Sequence, residues 1–137
     1  MSWFGDPSYG ITRRLPGTAY KDAVPVVKEA LAKEGFGVLT EIDVKATLKK
    51  KIDVDMAPYV ILGACNPPLA HKALTADPQI GLLLPCNVIV YQGEDGSVTV
   101  SLVRPDALFS LVDDPGMSGL MGEVSAALKK AHDAIAG

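Results

Sequence analysis

Several features that mark specialised classes of protein are scarce or missing in this sequence of 137 residues. Two cysteines are too few for a disulfide scaffold, so we expect both to be free thiols in a reducing cytosol. The longest apolar run is well short of the roughly 20 residues that a membrane span requires. The first ten residues contain neither the basic nor the apolar region of a secretory signal. We therefore expect a cytoplasmic protein without a membrane partner.

An excess of positive charge is also missing, because the net charge is −3. Nucleic acids are bound chiefly by clusters of lysine and arginine, so we expect no nucleic-acid partner. A local basic patch is formed by Lys45, Lys49, Lys50 and Lys51. Such a patch is more often a solvated helix face than an anion site.

What the sequence does have is the composition of an ordinary globular protein, with 48% hydrophobic and 21% charged residues. Its length fits one domain over residues 1–137. Residues 1–10 are rich in turn formers and are expected to be a lead-in segment, with Trp3 and Phe4 packing on a neighbour.

The first part of the chain predicts a strand, a helix, a strand and a short helix. The strand over Ile11–Leu15 carries two arginines in its middle, which favours an edge position. Thr18 is the predicted cap of the first helix, and Pro25 either kinks this helix or lies in a first turn that begins near Asp22. The second strand, Phe36–Ile42, alternates and predicts a core face of Phe36, Val38, Thr40 and Ile42. Asp43 is well placed to cap a helix over Val44–Lys51.

The central stretch from Pro58 to Tyr91 holds both cysteines, one of the two histidines and the densest group of prolines. An apolar run over Tyr59–Gly63 without alternation predicts a central strand. Asn66 followed by two prolines predicts the start of a helix that continues to about Ala76. A further strand is predicted over Cys86–Gln92, next to Pro85.

A hairpin and a long helix complete the predicted elements. The turn at residues 93–96 joins the preceding strand to Ser97–Val103, which alternates with Val98, Val100 and Leu102 on one face. Apolar residues from Leu120 to Ile135 recur at intervals of three and four and predict an amphipathic helix. The order of elements indicates an α+β fold with helices on one face of a mainly antiparallel sheet.

Several separated motifs resemble the domain-of-unknown-function 302 family. They are Gly35-Phe36-Gly37-Val38, Glu41-Ile42-Asp43, Ile61-Leu62-Gly63-Ala64-Cys65-Asn66-Pro67, Leu84-Pro85-Cys86-Asn87-Val88 and Asp95-Gly96. The resemblance implies a β-α-β4-α arrangement with a curved antiparallel sheet, like a single copy of the TATA-binding-protein fold, and pairing as dimers. It implies no activity, and the name of the fold does not imply DNA binding.

The two cysteines and His71 are the candidate catalytic residues. Cys65 directly precedes a predicted helix start, where the helix dipole lowers the pKa of a thiol. His71 lies six residues after Cys65, on the second turn of a helix that starts at Pro67, and a Cys–His pair is a common way to form a reactive thiolate. The alternative is that both cysteines are small core residues, as most free cysteines are, and that His71 faces solvent.

A metal site is not predicted, because the spacings match no zinc pattern. Cys65, Cys86 and His71 would need a fourth ligand, such as Asp43 or His132. Gly116, Gly119 and Gly122 precede the long helix at every third residue. Because glycine weakens a helix, this spacing indicates either close approach of a backbone or ligand, or a loosely wound first turn.

The sequence favours a small-molecule-binding module with a pocket between the sheet and the C-terminal helix. The candidate ligand-binding residues are Asp43, Asn66, Pro67, Pro85 and Gly119. The alternative is a thiol enzyme or redox sensor that uses Cys65 and Cys86, and no cofactor is assigned to either hypothesis. A homodimer is expected, with the segment Arg13–Arg14 and the aromatic pair Trp3 and Phe4 at a self-complementary contact.

If the strands before Cys65 and after Pro85 are antiparallel neighbours, the two cysteines lie at the same end of the sheet. Adjacent strands are about 4.8 Å apart. We therefore expect their Cα atoms within ~10 Å of each other, with the thiols reduced in the cytosol.

Overall fold

A computed structural model of the chain describes residues 7–112 and 114–135. Trp3 and Phe4, and with them most of the predicted lead-in, lie outside the described residues. The strands are β1 (Gly10–Leu15), β2 (Gly37–Asp43), β3 (Tyr59–Cys65), β4 (Cys86–Gln92) and β5 (Val98–Val103). The helices are α1 (Tyr20–Lys33), α2 (Val44–Ile52), α3 (Pro67–Ala76), α4 (Pro105–Phe109) and α5 (Ser118–Ala134), with 3-10 turns at Pro78–Leu83 and Pro115–Met117.

The five strands form one antiparallel sheet in the order β1-β5-β4-β3-β2. On one face the register aligns Leu62 with Val88 and Val88 with Leu102, and all three side chains are fully buried. Val27 and Leu31 of α1 and Leu128 of α5 belong to the same buried cluster, so these two helices cover this face. The predicted α+β fold with an antiparallel sheet and a β-α-β4-α order is confirmed.

Helix α1 differs from its prediction at its start. The N-cap position is Ala19, which has no side-chain hydrogen bond, so the predicted cap at Thr18 is wrong. Because the helix already begins at Tyr20, Pro25 is its sixth residue and not part of a first turn that starts near Asp22. Packing of the buried stripe Ala23, Val27, Ala30 and Leu31 on the sheet outweighs the loss of one backbone donor.

Strand β2 lies at an edge of the sheet, and its predicted core face is wrong. Thr40 is exposed and Ile42 is 47% exposed, although both belong to that predicted face. The pairing with β3 shifts between Val38 and Thr40, as in a β-bulge. A bulge inserts one residue and breaks the period of two, so Val38 and Thr40 no longer share a face. Only Phe36, just before the strand, is fully inside the core.

The remaining local predictions are confirmed. Asp43 caps α2 by accepting a hydrogen bond from the Ala46 amide at 2.9 Å. Strand β3 is central, between β2 and β4, and β1 is the other edge strand. The β4–β5 hairpin closes through a hydrogen bond from the Gly93 amide to the Ser97 carbonyl, and Gly96 has a φ of 83°.

Of the two explanations for the spacing of Gly116, Gly119 and Gly122, the structure fits a loosely wound turn at the start of α5 and not a close approach of another backbone. A Cβ atom added at Gly119 or Gly122 would meet nothing within 4 Å, so no backbone approaches closely there. The chain instead forms a 3-10 turn before α5, in which the Gly116 amide donates to the Asp114 carboxylate. None of the described helices combines the length and apolar character needed to cross a bilayer.

Candidate functional site

The described residues enclose a pocket of about 340 Å³ beside one end of the sheet. Its walls come from the ends of β2, β3 and β4, from helix α3, and from the first turns of α5. No charged side chain lines it. Among the lining residues, Thr40, Asn66 and the two cysteines are the only ones with polar side chains.

The pocket lies where two separate hydrophobic clusters meet. The main cluster contributes Phe36, Ala64 and Val124, while a smaller cluster contributes Ala73 and Phe109. Protein interiors are normally packed to the density of organic crystals, with few voids larger than a water molecule. A space of this size between two packed clusters is therefore suited to an apolar guest.

Asn66 joins three elements at the rim of the pocket. Its Oδ1 accepts a hydrogen bond from the Leu69 amide at 3.2 Å and so caps α3. Its Nδ2 donates to the Glu34 carbonyl at 3.4 Å, next to Gly35, which has a φ of 84°. Because both ends of this amide are engaged, Asn66 is fixed in the pocket wall, and one N–H and one lone pair of the amide remain.

The Thr40 side chain of β2 and the Pro85 ring both lie over Gly63 of the neighbouring strand β3. A Cβ atom added to Gly63 would clash with the Thr40 hydroxyl and would lie 2.8 Å from Cγ of Pro85. Glycine is therefore required at this position of the strand. The packing explains why Thr40 and Pro85 both line the pocket.

Both cysteines line the same pocket. Ala64 is the register partner of Cys86, and Cys65 is the next residue along β3. With a strand spacing of ~4.8 Å and a rise of ~3.4 Å per residue, the two Cα atoms are about 6 Å apart. The predicted proximity is thus confirmed. The residue directly opposite Cys86, however, is Ala64.

The environments of the two thiols differ. Cys65 is half-buried, whereas Cys86 is 4% exposed. Burial, with a smaller contribution from the neighbouring Cys65, raises the pKa of Cys86 from 9.0 to about 11. Cys86 is therefore a thiol, and not a thiolate, at neutral pH.

The raised pKa of Cys86 predicts a loss of stability at alkaline pH. Above about pH 9 an unfolded chain releases the thiol proton while the native chain keeps it up to about pH 11, so the native state binds more protons and the free energy of unfolding falls with pH. The contribution is fully present below pH 9. Because one pKa unit corresponds to ~1.4 kcal/mol, we expect the wild type to lose about 2 kcal/mol more than Cys86→Ala between pH 9 and pH 11.

Urea unfolding of both proteins across this range measures the difference. The Cys86→Ala variant corrects for the tyrosines and lysines, which titrate in both proteins. Parallel pH profiles of the two proteins would contradict the burial of Cys86.

Several predicted site residues lie away from the pocket. His71 is exposed on α3 and does not line the pocket, so no Cys–His pair is assembled there. Asp43 caps α2, and Pro67 is exposed in the first turn of α3. Gly119 is exposed in α5, where the pocket is lined instead by Leu120 and Val124.

Of the five residues considered as metal ligands from the sequence, only the two cysteines lie together. Nε2 of His132 donates a hydrogen bond to the Thr12 carbonyl at 3.1 Å, on β1 at the far edge of the sheet. Within residues 7–112 and 114–135 there is no group of three or more His, Cys, Asp or Glu side chains that could hold a metal ion.

The sequence did not identify the pocket walls formed by α3 and α4. Leu69, Ala70 and Ala73 of α3 and Phe109 of α4 all line the space. Apolar residues at helical spacing indicate only which face of a helix is buried. They do not show that a gap remains between two clusters.

Comparison with known proteins gives consistent matches. The family model described as domain of unknown function DUF302 matches residues 11–135. The crystal structure of an uncharacterized conserved DUF302 protein from Bacillus stearothermophilus has a TM-score of 0.85 and 28% identity, covering 94% of this chain and 99% of that one. An uncharacterized protein of Aquifex aeolicus (strain VF5) is 28% identical over 91 residues, which are 66% of this chain and 57% of that protein. The match thus spans little more than half of the Aquifex protein.

Proposed function

The chain belongs to the DUF302 family, and we propose that it is a small-molecule-binding module whose ligand is uncharged and largely hydrocarbon. The observation that carries this proposal is the pocket of about 340 Å³, which has no charged side chain in its lining. Transfer of a charged group into such surroundings without a partner costs several kcal/mol or more. Apolar groups, in contrast, gain roughly 25 cal/mol for each Å² removed from water.

The size of the pocket limits the ligand to a small molecule, since ligand pockets typically measure ~300–1,000 Å³. The lining presents almost entirely apolar surface to the space, so it offers a ligand little hydrogen bonding. A short hydrocarbon chain with a single uncharged polar group, as in an alcohol or a ketone, fits this lining. We place this module in the cytoplasm because free thiols persist in a reducing compartment.

Thermal unfolding tests the proposal with 1-octanol and octanoate, which each contain eight carbons and differ in the charge of the polar group. A ligand at 100 times its Kd stabilises the native state by ~2.7 kcal/mol. We expect 1-octanol to raise the Tm by a few degrees and octanoate to have a much smaller effect at pH 7. Equal effects of the two compounds, or no effect of either, would contradict the proposed ligand class.

A pocket-filling variant locates the binding. Ala70 lines the pocket on α3, and its replacement by phenylalanine places a ring in the empty space. Ala70→Phe is expected to abolish the stabilisation by 1-octanol. Ala126→Phe is the matched control, because Ala126 is exposed on α5 outside the pocket.

The alternative function, a redox pair of Cys65 and Cys86, has weaker support. The proximity of the cysteines favours it, but the raised pKa of Cys86 leaves this sulfur a poor nucleophile at neutral pH. Cross-strand pairing also places Ala64, and not Cys65, opposite Cys86. We therefore favour a binding role for this site.

We further propose that the protein is a homodimer that pairs through the β2 edge. Among the large apolar side chains, Leu39 and Ile42 of β2 are exposed, as are Ile52 and Val54 around the end of α2. The unpaired backbone of an edge strand favours pairing with a second strand. The segment Arg13–Arg14 is less suited to the contact, because Arg14 already bonds to Asp95 and Ser97 of its own chain.

Light scattering tests the dimer and its location. The wild type is expected to have twice the mass of one chain, and Ile42→Lys is expected to shift it to the monomer by placing like charges across the two-fold axis. Leu82→Lys is the control, since Leu82 is 83% exposed in the 3-10 turn after α3. A monomeric wild type, or an unchanged mass for Ile42→Lys, would refute the proposed interface.

A further inference from the structure

We propose that Cys65 captures apolar α,β-unsaturated carbonyl compounds covalently once they occupy the pocket. The inference rests on the proposed function, because it assigns a chemical class of ligand to the same pocket. It goes beyond reversible binding in giving one of the two thiols a bond-forming role.

The position of Cys65 carries the inference. Cys65 is the last residue of β3, and it lines the pocket together with Leu69 and Ala70 of the helix that follows. It is half-buried, so a molecule within the pocket can reach it. An electrophile held beside a thiol reacts as in an intramolecular step, without the entropic cost of a second encounter.

The second thiol in the pocket makes the chemistry selective. Cys86 is 4% exposed and lines the same space, and no hydrogen bond to its sulfur is found among the described residues. Because burial raises the pKa of Cys86 to about 11, its thiolate is scarce at neutral pH. One adduct, at Cys65, is therefore expected in the native protein.

The proposed step is an addition that needs neither oxidant nor cofactor. The sulfur of Cys65 loses its proton to water and forms a bond to the β-carbon of the ligand. The electron pair of the carbon–carbon double bond moves to the α-carbon, which takes a proton from water. The net result is addition of S–H across the double bond, with no change in the total number of electrons or protons.

The lining of the pocket predicts which electrophiles react fastest. A hydrocarbon tail gains binding free energy when the apolar walls cover it, and this gain raises the local concentration of the reactive group beside Cys65. 1-Octen-3-one and methyl vinyl ketone share the same vinyl ketone and differ in the tail. We expect 1-octen-3-one to react with the native protein at least about tenfold faster than methyl vinyl ketone does. Full burial of its hydrocarbon tail would supply more binding free energy than this ratio requires.

Intact-mass spectrometry of the native protein at pH 7 measures both rates, each divided by the rate in denaturant, where no pocket exists. The proposal is supported if the normalised rate of 1-octen-3-one exceeds that of methyl vinyl ketone tenfold or more. It also requires one adduct per chain and the loss of this adduct in Cys65→Ser. A ratio near one, or an adduct that persists in Cys65→Ser, overturns it. Ala126→Ser, on the exposed face of α5 outside the pocket, is the control and is expected to keep both the adduct and the ratio.

A saturated probe separates this inference from the proposed function. 3-Octanone has the same tail and carbonyl group but cannot form the bond. If 3-octanone slows the labelling of Cys65 while the normalised ratio stays near one, the pocket binds apolar molecules and the capture proposal is wrong. If 3-octanone gives no protection and the ratio is also near one, both proposals are wrong.

Discussion

Replacing Leu128 by alanine is expected to lower the free energy of unfolding by about 2–5 kcal/mol. Leu128 is fully buried and belongs to the cluster in which α1 and α5 pack on the sheet. Truncation removes the transfer free energy of three carbons and leaves a cavity that rigid neighbours fill only in part. Because α5 also carries Leu120 and Val124 into the pocket wall, ligand binding is expected to weaken with it.

Leu82→Ala is the matched control for this change. Leu82 is 83% exposed, so the same truncation removes almost no buried surface and is expected to change stability by less than about 0.5 kcal/mol. Urea denaturation of the two variants and the wild type gives the comparison. Similar losses in both variants would mean that α5 does not pack on the sheet as described.

Replacing Gly63 by alanine is the second change with a large expected effect. The new methyl group would meet the Thr40 hydroxyl and Cγ of Pro85, at 2.8 Å from the latter. Forcing an extra carbon into such a contact typically costs about 1–3 kcal/mol. The methyl group would also push Thr40 of β2 away from Pro85, which directly precedes β4. The floor of the pocket would therefore be distorted.

Gly37→Ala on β2 shows what the substitution does without the contact. A Cβ atom at Gly37 would meet nothing within 4 Å, and the residue is exposed. Alanine there reduces the conformational freedom of the unfolded chain, so a neutral or slightly stabilising effect is expected. Equal and small effects at both glycines, measured by thermal unfolding, would contradict the close passage of Thr40 over Gly63.

The sequence predicted best where local chemistry alone decides the structure. Asn66 followed by two prolines specified the start of α3, and Asp43 specified the start of α2. The apolar run over Tyr59–Gly63 identified the central strand, because a strand with neighbours on both sides needs little polar surface. Each of these signals lies within a few residues of the feature that it predicts.

Predictions failed where distant parts of the chain decide the outcome. The alternation in β2 indicated a buried face, but the bulge between Val38 and Thr40 and the edge position leave Thr40 and Ile42 exposed. Thr18 is a good cap by residue type, yet α1 begins at Tyr20. In both cases tertiary packing outweighed a local preference.

The site was predicted in part. The cysteines, Asn66 and Pro85 were placed near one another by the order of the strands, and all of them line the pocket. Residue type pointed to His71, Asp43 and Gly119. Their positions on α3, at the start of α2 and on α5 leave them outside the pocket lining. The gap between the two apolar clusters depends on how several helices pack together, and no pattern within one element reports it.

Binding of an uncharged ligand between these two clusters is the central claim. Titration of 1-octanol into methyl-labelled protein, followed by NMR, tests it most directly. Saturable shifts of the methyl groups of Leu69, Ala70, Ala73 and Leu120, with those of Ala126 unchanged, are the predicted result. Shifts that do not saturate, or that group around Ile42 at the open edge and Ile52 at the end of α2, would show that the pocket is not the binding site.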